Sequence, residues 1–149
     1  MYSDPRVIDF IEKHFVPVRV HVKEQPEEFR DLGEKYDAHW TPTILVTDDQ
    51  GVQRHRIEGF LPVHDFMSQL ALGLARAAFA RKDYAAAAQL FRRVVDEYPQ
   101  TDAAPEALYW AGVSLYRANN DPAALADTGK AFRERYQDTS WAKKASVWK

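Results

Sequence analysis

The second half of the chain repeats itself at an interval of 37 to 38 residues. Segment 96–110 resembles segment 134–148, with a tyrosine and a tryptophan at matching positions. A period of this length is typical of stacked helical hairpins, each of which buries its apolar face only against its neighbours. The sequence therefore predicts helical hairpins over 70–98 and 104–136, followed by a closing helix from about residue 139.

Three aromatic residues of the second hairpin, Tyr109, Trp110 and Tyr116, are candidates for an interaction groove. Arrays of helical repeats often present a concave surface to a peptide. Aromatic side chains at this spacing also fill the packing between hairpins, and Trp141 and Trp148 are placed to take part in it. The sequence leaves both interpretations open.

The first half differs, because runs of β-branched and aromatic residues alternate there with charged stretches. We expect the order helix, strand, helix, strand, strand, helix, with strands at 16–22, 43–47 and 54–58. The polar run 48–51 supplies a hairpin turn between the last two strands. Segment 62–82 favours one continuous helix that ends this half and begins the repeats, with Gly73 as the point at which it can break.

Composition and charge exclude several classes of function. The 149 residues have a formal net charge of −2, and their basic and acidic residues are mixed, so no basic face indicates a nucleic-acid partner. No apolar stretch approaches the ~20 residues that a membrane span needs. The beginning of the sequence also lacks a signal-peptide pattern. We expect a protein of the cytoplasm, with no nucleic-acid or membrane partner.

No pattern indicates catalysis or metal binding. The five histidines have no helical pair and no cysteine nearby, and His21 and His55 are expected to face solvent. Polarity of the hairpin turn explains Asp48 and Asp49. No glycine-rich loop and no nucleophile elbow is present. We therefore expect no catalytic residue, no metal and no cofactor.

Several short patterns occur together in the first half: the runs 2–11 and 15–20, the sequence Thr41-Pro42-Thr43, and the spacing of Gly51 and Gly59. As a set they resemble the thioredoxin-like superfamily over about residues 2–72. The resemblance implies a cis peptide bond before Pro42. In active relatives the backbone at the position of Thr41 pairs with an extended peptide.

This resemblance makes Trp40, Thr41 and Pro42 the candidate peptide-binding residues. The alternatives are structural. A tight turn leading into a strand also explains Thr41 and Pro42, and Trp40 is placed to cover the sheet.

The chain contains no cysteine, so no redox activity is expected for it, because thiol–disulfide exchange needs a thiolate nucleophile. Relatives begin with a strand and then carry Cys-x-x-Cys at the start of a helix. The helix expected at 4–15 resembles the continuation of that helix. The resemblance therefore implies that the strand between 17–22 and 43–47 is missing.

An incomplete, three-stranded mixed sheet would follow, with an open edge that invites pairing. Three explanations stay open. The chain forms a homodimer through the exposed sheet edge, or strands 17–22 and 43–47 pair directly, or Met1 is not the natural start.

The second half resembles tetratricopeptide repeats. Ala75, Ala87 and Phe91 match that pattern, whereas the second hairpin departs from it with Thr128 at the large aromatic site and Tyr136 where a proline is expected.

The resulting hypothesis is a partial thioredoxin-like α/β domain over 1–72, followed by an all-α repeat segment over 73–149, with helix 62–82 shared. We expect a non-catalytic protein–protein interaction module with a protein or peptide partner. The alternative is a thiol–disulfide oxidoreductase whose N-terminal strand and Cys-x-x-Cys are missing from this chain.

Overall fold

A computed structural model describes residues 1–149 and contains seven helices and two strands. In chain order the elements are α1 (Pro5–His14), α2 (Pro26–Tyr36), β1 (Thr43–Thr47), β2 (Gln53–Glu58), α3 (Val63–Ala80), α4 (Tyr84–Glu97), α5 (Ala103–Asn119), α6 (Ala123–Glu134) and α7 (Ser140–Ala145). The expected fold class, a partial α/β region followed by helical repeats, is confirmed.

The predicted hairpin is present, and β1 and β2 pair antiparallel. Its turn depends on Asp48, whose carboxylate accepts hydrogen bonds from the backbone N–H groups of Gln50 and Val52, each at 2.9 Å. Arg54 reaches the same carboxylate at 2.7 Å. The hydrogen bond from Val52 is the largest cause that lowers the pKa of Asp48. The aspartate therefore shapes the turn, as its position predicted.

The third strand expected over 16–22 is not formed, and the sheet has two strands instead of three. Val16 and Val18 are 94% and 83% exposed. A strand needs a hydrogen-bonded neighbour ~4.7–4.9 Å away. Neither β1 nor β2 pairs with this run. Direct pairing of 17–22 with 43–47, one of the three explanations that the sequence leaves open, is therefore wrong.

Helix α3 is continuous through Gly73 and carries the hairpin on its surface. A Cβ atom at Gly73 would lie 2.9 Å from Cγ2 of Val46 and 3.3 Å from Cβ of His55. The absent side chain thus allows the sheet to approach the helix closely. Gly73 is a contact point in this helix and not a break.

Helices α3 to α7 enclose a core of 14 buried apolar residues, among them Phe91 and Leu108. Helices α5 and α6 approach closely at Gly112, where a Cβ atom would overlap Oγ1 of Thr128. The Thr128 hydroxyl donates to the carbonyl of Ala124, which satisfies it inside this contact. A large aromatic side chain at position 128 would not fit against α5.

The first half has a much smaller core of four buried residues: Val7, Ile57, Phe66 and Leu70. Helix α2 is attached to the hairpin by hydrogen bonds. The Tyr36 hydroxyl donates to the carbonyl of Gly51 at 2.8 Å, and the Arg56 guanidinium donates to the carbonyl of Asp37 at 2.9 Å. These bonds place α2 beside the turn while most of its side chains stay exposed.

Candidate functional site

The outer side of β1 is an unpaired strand edge. The carbonyl of Pro42 accepts a hydrogen bond from the N–H of Gly59 at 2.9 Å. Beyond a register irregularity between Val46 and Thr47, the N–H of Asp48 donates to the carbonyl of Val52 at 3.0 Å, and the two bonds together set the alternation of the antiparallel ladder. Ile44 and Val46 therefore direct their N–H and C=O groups to β2. Those of Thr43, Leu45 and Thr47 point away from β2, where no further strand lies. We call these three residues the free edge.

The loop before the free edge contains the candidate residues Trp40, Thr41 and Pro42. The Thr41–Pro42 peptide bond is cis. The Thr43 hydroxyl donates to the carbonyl of Trp40 at 2.6 Å and closes the turn. The Trp40 side chain is 70% exposed and does not cover the sheet. A peptide-binding role for the three residues stays a prediction.

A cavity of about 320 Å³ opens at the other end of β1, between the end of α1 and helix α3. We call it the β1-end cavity. Its apolar walls come from Phe15, Val46, Leu74 and Ala77, and charged or polar side chains, including Arg81, complete its lining. One end of the free edge thus carries an exposed tryptophan, and the other carries a recess with both apolar and polar walls.

Exposed apolar side chains are concentrated in the same half of the molecule. Of the eleven large hydrophobic residues that are exposed, nine lie in residues 1–62: Tyr2, Ile8, Val16, Val18, Val22, Leu32, Trp40, Val52 and Phe60. Exposed apolar surface that is rimmed by polar residues is typical of protein interaction sites.

The candidate groove residues Tyr109, Trp110 and Tyr116 lie on α5. The Tyr109 ring stacks on Trp148 with 4.6 Å between centroids, and Trp110 packs edge-on against Phe79 at 5.2 Å. Nε1 of Trp110 is buried without a hydrogen-bond partner, and Tyr116, two turns further along, is half-buried. These contacts favour the packing interpretation for Tyr109 and Trp110. A groove role for the three residues stays a prediction.

Sequence reasoning missed a buried polar link between the two halves. His55 was expected to face solvent, yet it is only 7% exposed. Its Nε2 lies 2.8 Å from Oε1 of Gln69, and its Nδ1 lies 3.4 Å from the guanidinium of Arg76. Arg76 also pairs with Glu106 on α5. The link therefore runs from β2 through α3 to α5.

The neighbours of His55 determine its protonation. Because the guanidinium of Arg76 can only donate, Nδ1 of His55 accepts, and Nε2 carries the proton and donates to Gln69. Burial is the largest cause that lowers the pKa of His55, and the charge of Arg76 lowers it further, against the opposing hydrogen bond to Gln69. The alternation of the strand indicates that His55 faces inward, because positions 55 and 57 lie on the same face of β2 and Ile57 is apolar.

The structure contains no group of three or more histidine or acidic side chains that could hold a metal ion. None of its helices combines the length and apolar character needed to cross a membrane.

Comparison with protein families gives two matches. The thioredoxin-like domain matches residues 1–73, and the tetratricopeptide repeat matches residues 69–101. The two matches overlap inside α3. The chain therefore combines a thioredoxin-like domain with a tetratricopeptide repeat, and the resemblance seen in the sequence is confirmed. Searches of curated proteins and of solved structures found no match.

Proposed function

We propose that this chain is a non-catalytic protein–protein interaction module whose binding site is the free edge of β1. The observation that carries the proposal is the row of unpaired backbone groups at Thr43, Leu45 and Thr47. An extended segment of a partner can add to such an edge as a strand, with main-chain hydrogen bonds for affinity and adjacent pockets for specificity.

The surroundings of the free edge support this proposal. The β1-end cavity offers an apolar pocket at one end, and Trp40 offers an exposed aromatic contact at the other. In this arrangement Trp40, Thr41 and Pro42 form the boundary of the site at the start of β1. The repeats hold the hairpin in place through α3, and tetratricopeptide repeats generally mediate protein–protein interactions. The cytoplasmic location stays a prediction.

The competing function, thiol–disulfide exchange, has no nucleophile in this chain because cysteine is absent. An insulin-reduction assay on the chain should show no rate above that of buffer. A rate above buffer would contradict the non-catalytic assignment.

Peptide display tests the proposed site. Random extended peptides are selected for binding to the chain. The affinity of the selected peptides is then measured for wild type and for the variants Thr47→Pro and Thr47→Val. The N–H of Thr47 points outward, so proline removes a donor from the free edge without removing a hydrogen bond to β2. Valine keeps that donor and is the matched control.

We expect the selected peptides to bind wild type and Thr47→Val alike, and to bind Thr47→Pro about tenfold more weakly, as befits one lost hydrogen bond. Two results would overturn the proposal. Either no peptide is enriched by the monomeric chain, or the enriched peptides bind the proline variant as tightly as wild type.

A further inference from the structure

We infer that the occupant of the free edge is a second copy of this chain, whose β1 pairs antiparallel with the first across a two-fold axis at Leu45. This inference rests on the proposed function, because it names the partner of the same site. Three features of β1 carry it: its backbone register, its side-chain order, and the Trp40 side chain and cavity at its opposite ends.

The backbone register permits self-pairing. With Leu45 opposite the partner's Leu45, Thr43 lies opposite the partner's Thr47. All of these residues direct their N–H and C=O groups outward, so each outward donor meets an outward acceptor. A shift by one residue would instead oppose them with Ile44 or Val46, whose backbone groups already bond to β2. The hairpin therefore excludes shifts by one residue. Of the shifts by two residues that remain, only Leu45 opposite the partner's Leu45 pairs all three residues of the free edge with the partner's free edge.

The side chains of β1 also read almost the same in both directions, as Thr-Ile-Leu-Val-Thr. Across the axis, Thr43 faces the partner's Thr47, and Ile44 faces the partner's Val46. Threonine pairs and pairs of β-branched side chains stabilise an antiparallel ladder, and this register opposes no like charges. The paired hairpins would form one four-stranded sheet.

Trp40 and the β1-end cavity lie at opposite ends of the same strand. Antiparallel pairing brings the partner's Trp40 to the end of β1 at which the cavity opens between Phe15, Val46 and Leu74. The two-fold axis repeats this contact at the other end. The exposed Trp40 side chain and the apolar walls of the cavity thus meet when two copies pair in this register. This complementarity favours a second copy over an unrelated peptide.

A charge-pair experiment tests the register. The variants Thr43→Lys/Thr47→Glu and Thr43→Lys/Thr47→Lys both lose the bond from the Thr43 hydroxyl to Trp40, so they perturb the monomer alike. In the predicted dimer the first variant places lysine opposite glutamate twice, and the second places lysine opposite lysine twice. Circular dichroism checks that both variants fold, and sedimentation over a roughly hundredfold range of concentration measures association.

We expect wild type and the lysine–glutamate variant to dimerise, and the lysine–lysine variant to associate at least about tenfold more weakly. Association should weaken in 1 M salt for the lysine–glutamate variant and strengthen for the lysine–lysine variant. At that concentration the Debye length is about 3 Å, so both attraction and repulsion between exposed charges are largely screened. A wild-type chain that stays monomeric overturns the inference. So does equal dimerisation of the two variants, which would locate the interface elsewhere.

The peptide experiment separates this inference from the function on which it rests. If the chain is monomeric but binds peptides that Thr47→Pro rejects, the free edge is a binding site and its partner is another protein. If the chain dimerises through the predicted register, selected peptides should compete with the dimer. If neither association occurs, both the inference and the proposed function fail.

Discussion

The two halves of this molecule differ in how far each completes its own core. Fourteen buried apolar residues form one cluster in the repeat half, whereas four form the cluster under the hairpin. Nine of the eleven exposed large hydrophobic residues belong to residues 1–62. Helical hairpins bury their apolar faces against neighbours that follow directly in the chain. A two-stranded sheet leaves unpaired backbone groups along its outer edges, and the free edge of β1 is one of them.

The largest expected effect is a loss of stability, and it appears when alanine substitutions of one phenylalanine from each half are compared. Phe91 is 1% exposed in the repeat core, and Phe60 is 73% exposed beside the hairpin. We expect Phe91→Ala to lower the free energy of unfolding by about 3–5 kcal/mol and Phe60→Ala by less than about 0.5 kcal/mol. Urea denaturation of dilute samples measures both. Similar losses in the two variants would contradict the contrast between a complete and an incomplete half.

A second prediction concerns the contact between α5 and α6. Gly112→Ala places a Cβ atom against Thr128, and this overpacking should cost about 1–3 kcal/mol of folding free energy. Because this cost exceeds the ~1 kcal/mol that alanine gains over glycine in a helix, we expect the variant to be less stable than wild type. Adding Thr128→Ala removes the obstructing atoms, so the double variant should be more stable than Gly112→Ala alone. A double-mutant cycle in urea measures this coupling. Additive effects would show that the helices do not meet at these residues.

The buried link at His55 predicts a pH dependence. Its pKa is lowered in the folded state, so the unfolded chain binds the proton more readily. Stability is then lost as pH falls through the unfolded value of about 6.5. Gln69 and Arg76 face the ring, and Arg76 is paired with Glu106. His55→Gln should therefore flatten the loss of stability between about pH 7.5 and pH 5. An unchanged slope in urea titrations would place the titrating group elsewhere.

The smallest effect on stability is expected for Trp40→Ala. Because its side chain is 70% exposed, we expect a change below about 0.5 kcal/mol in samples dilute enough to dissociate the inferred dimer. Association of concentrated samples should nevertheless weaken, since the inferred dimer buries this side chain. Trp40→Phe is the conservative control and should retain more of the association. A large loss of stability in the dilute alanine variant would mean that Trp40 belongs to the monomer core.

Much of this fold was predictable because its signals are local. The hairpin follows from the polar turn 48–51 between two strand-like runs, and the repeat helices follow from a 37 to 38-residue period. The run 16–22 has strand-like composition but forms no strand, because pairing depends on a neighbour that composition does not reveal. Gly73 was predictable as an irregularity in α3, yet its role as a contact for Val46 depends on the tertiary structure.

The candidate site was predictable only in part. The resemblance and the expected open sheet edge indicate the region of β1, and the sequence makes Trp40 a candidate, in keeping with its 70% exposure. The β1-end cavity was not predictable, since it is built from the end of α1, the end of β1 and the C-terminal half of α3. Residues that are distant in sequence meet there only after the hairpin packs on α3.

Residue-by-residue amide hydrogen exchange tests the central claim most directly. In dilute samples we expect the N–H groups of Ile44 and Val46 to exchange slowly, because they bond to β2, and those of Thr43, Leu45 and Thr47 to exchange fast. In concentrated samples, or with a selected peptide, the free-edge amides should become protected while α3 to α6 change little. Free-edge amides that are protected at every concentration, or that stay fast under all conditions, would contradict an interaction site at this edge.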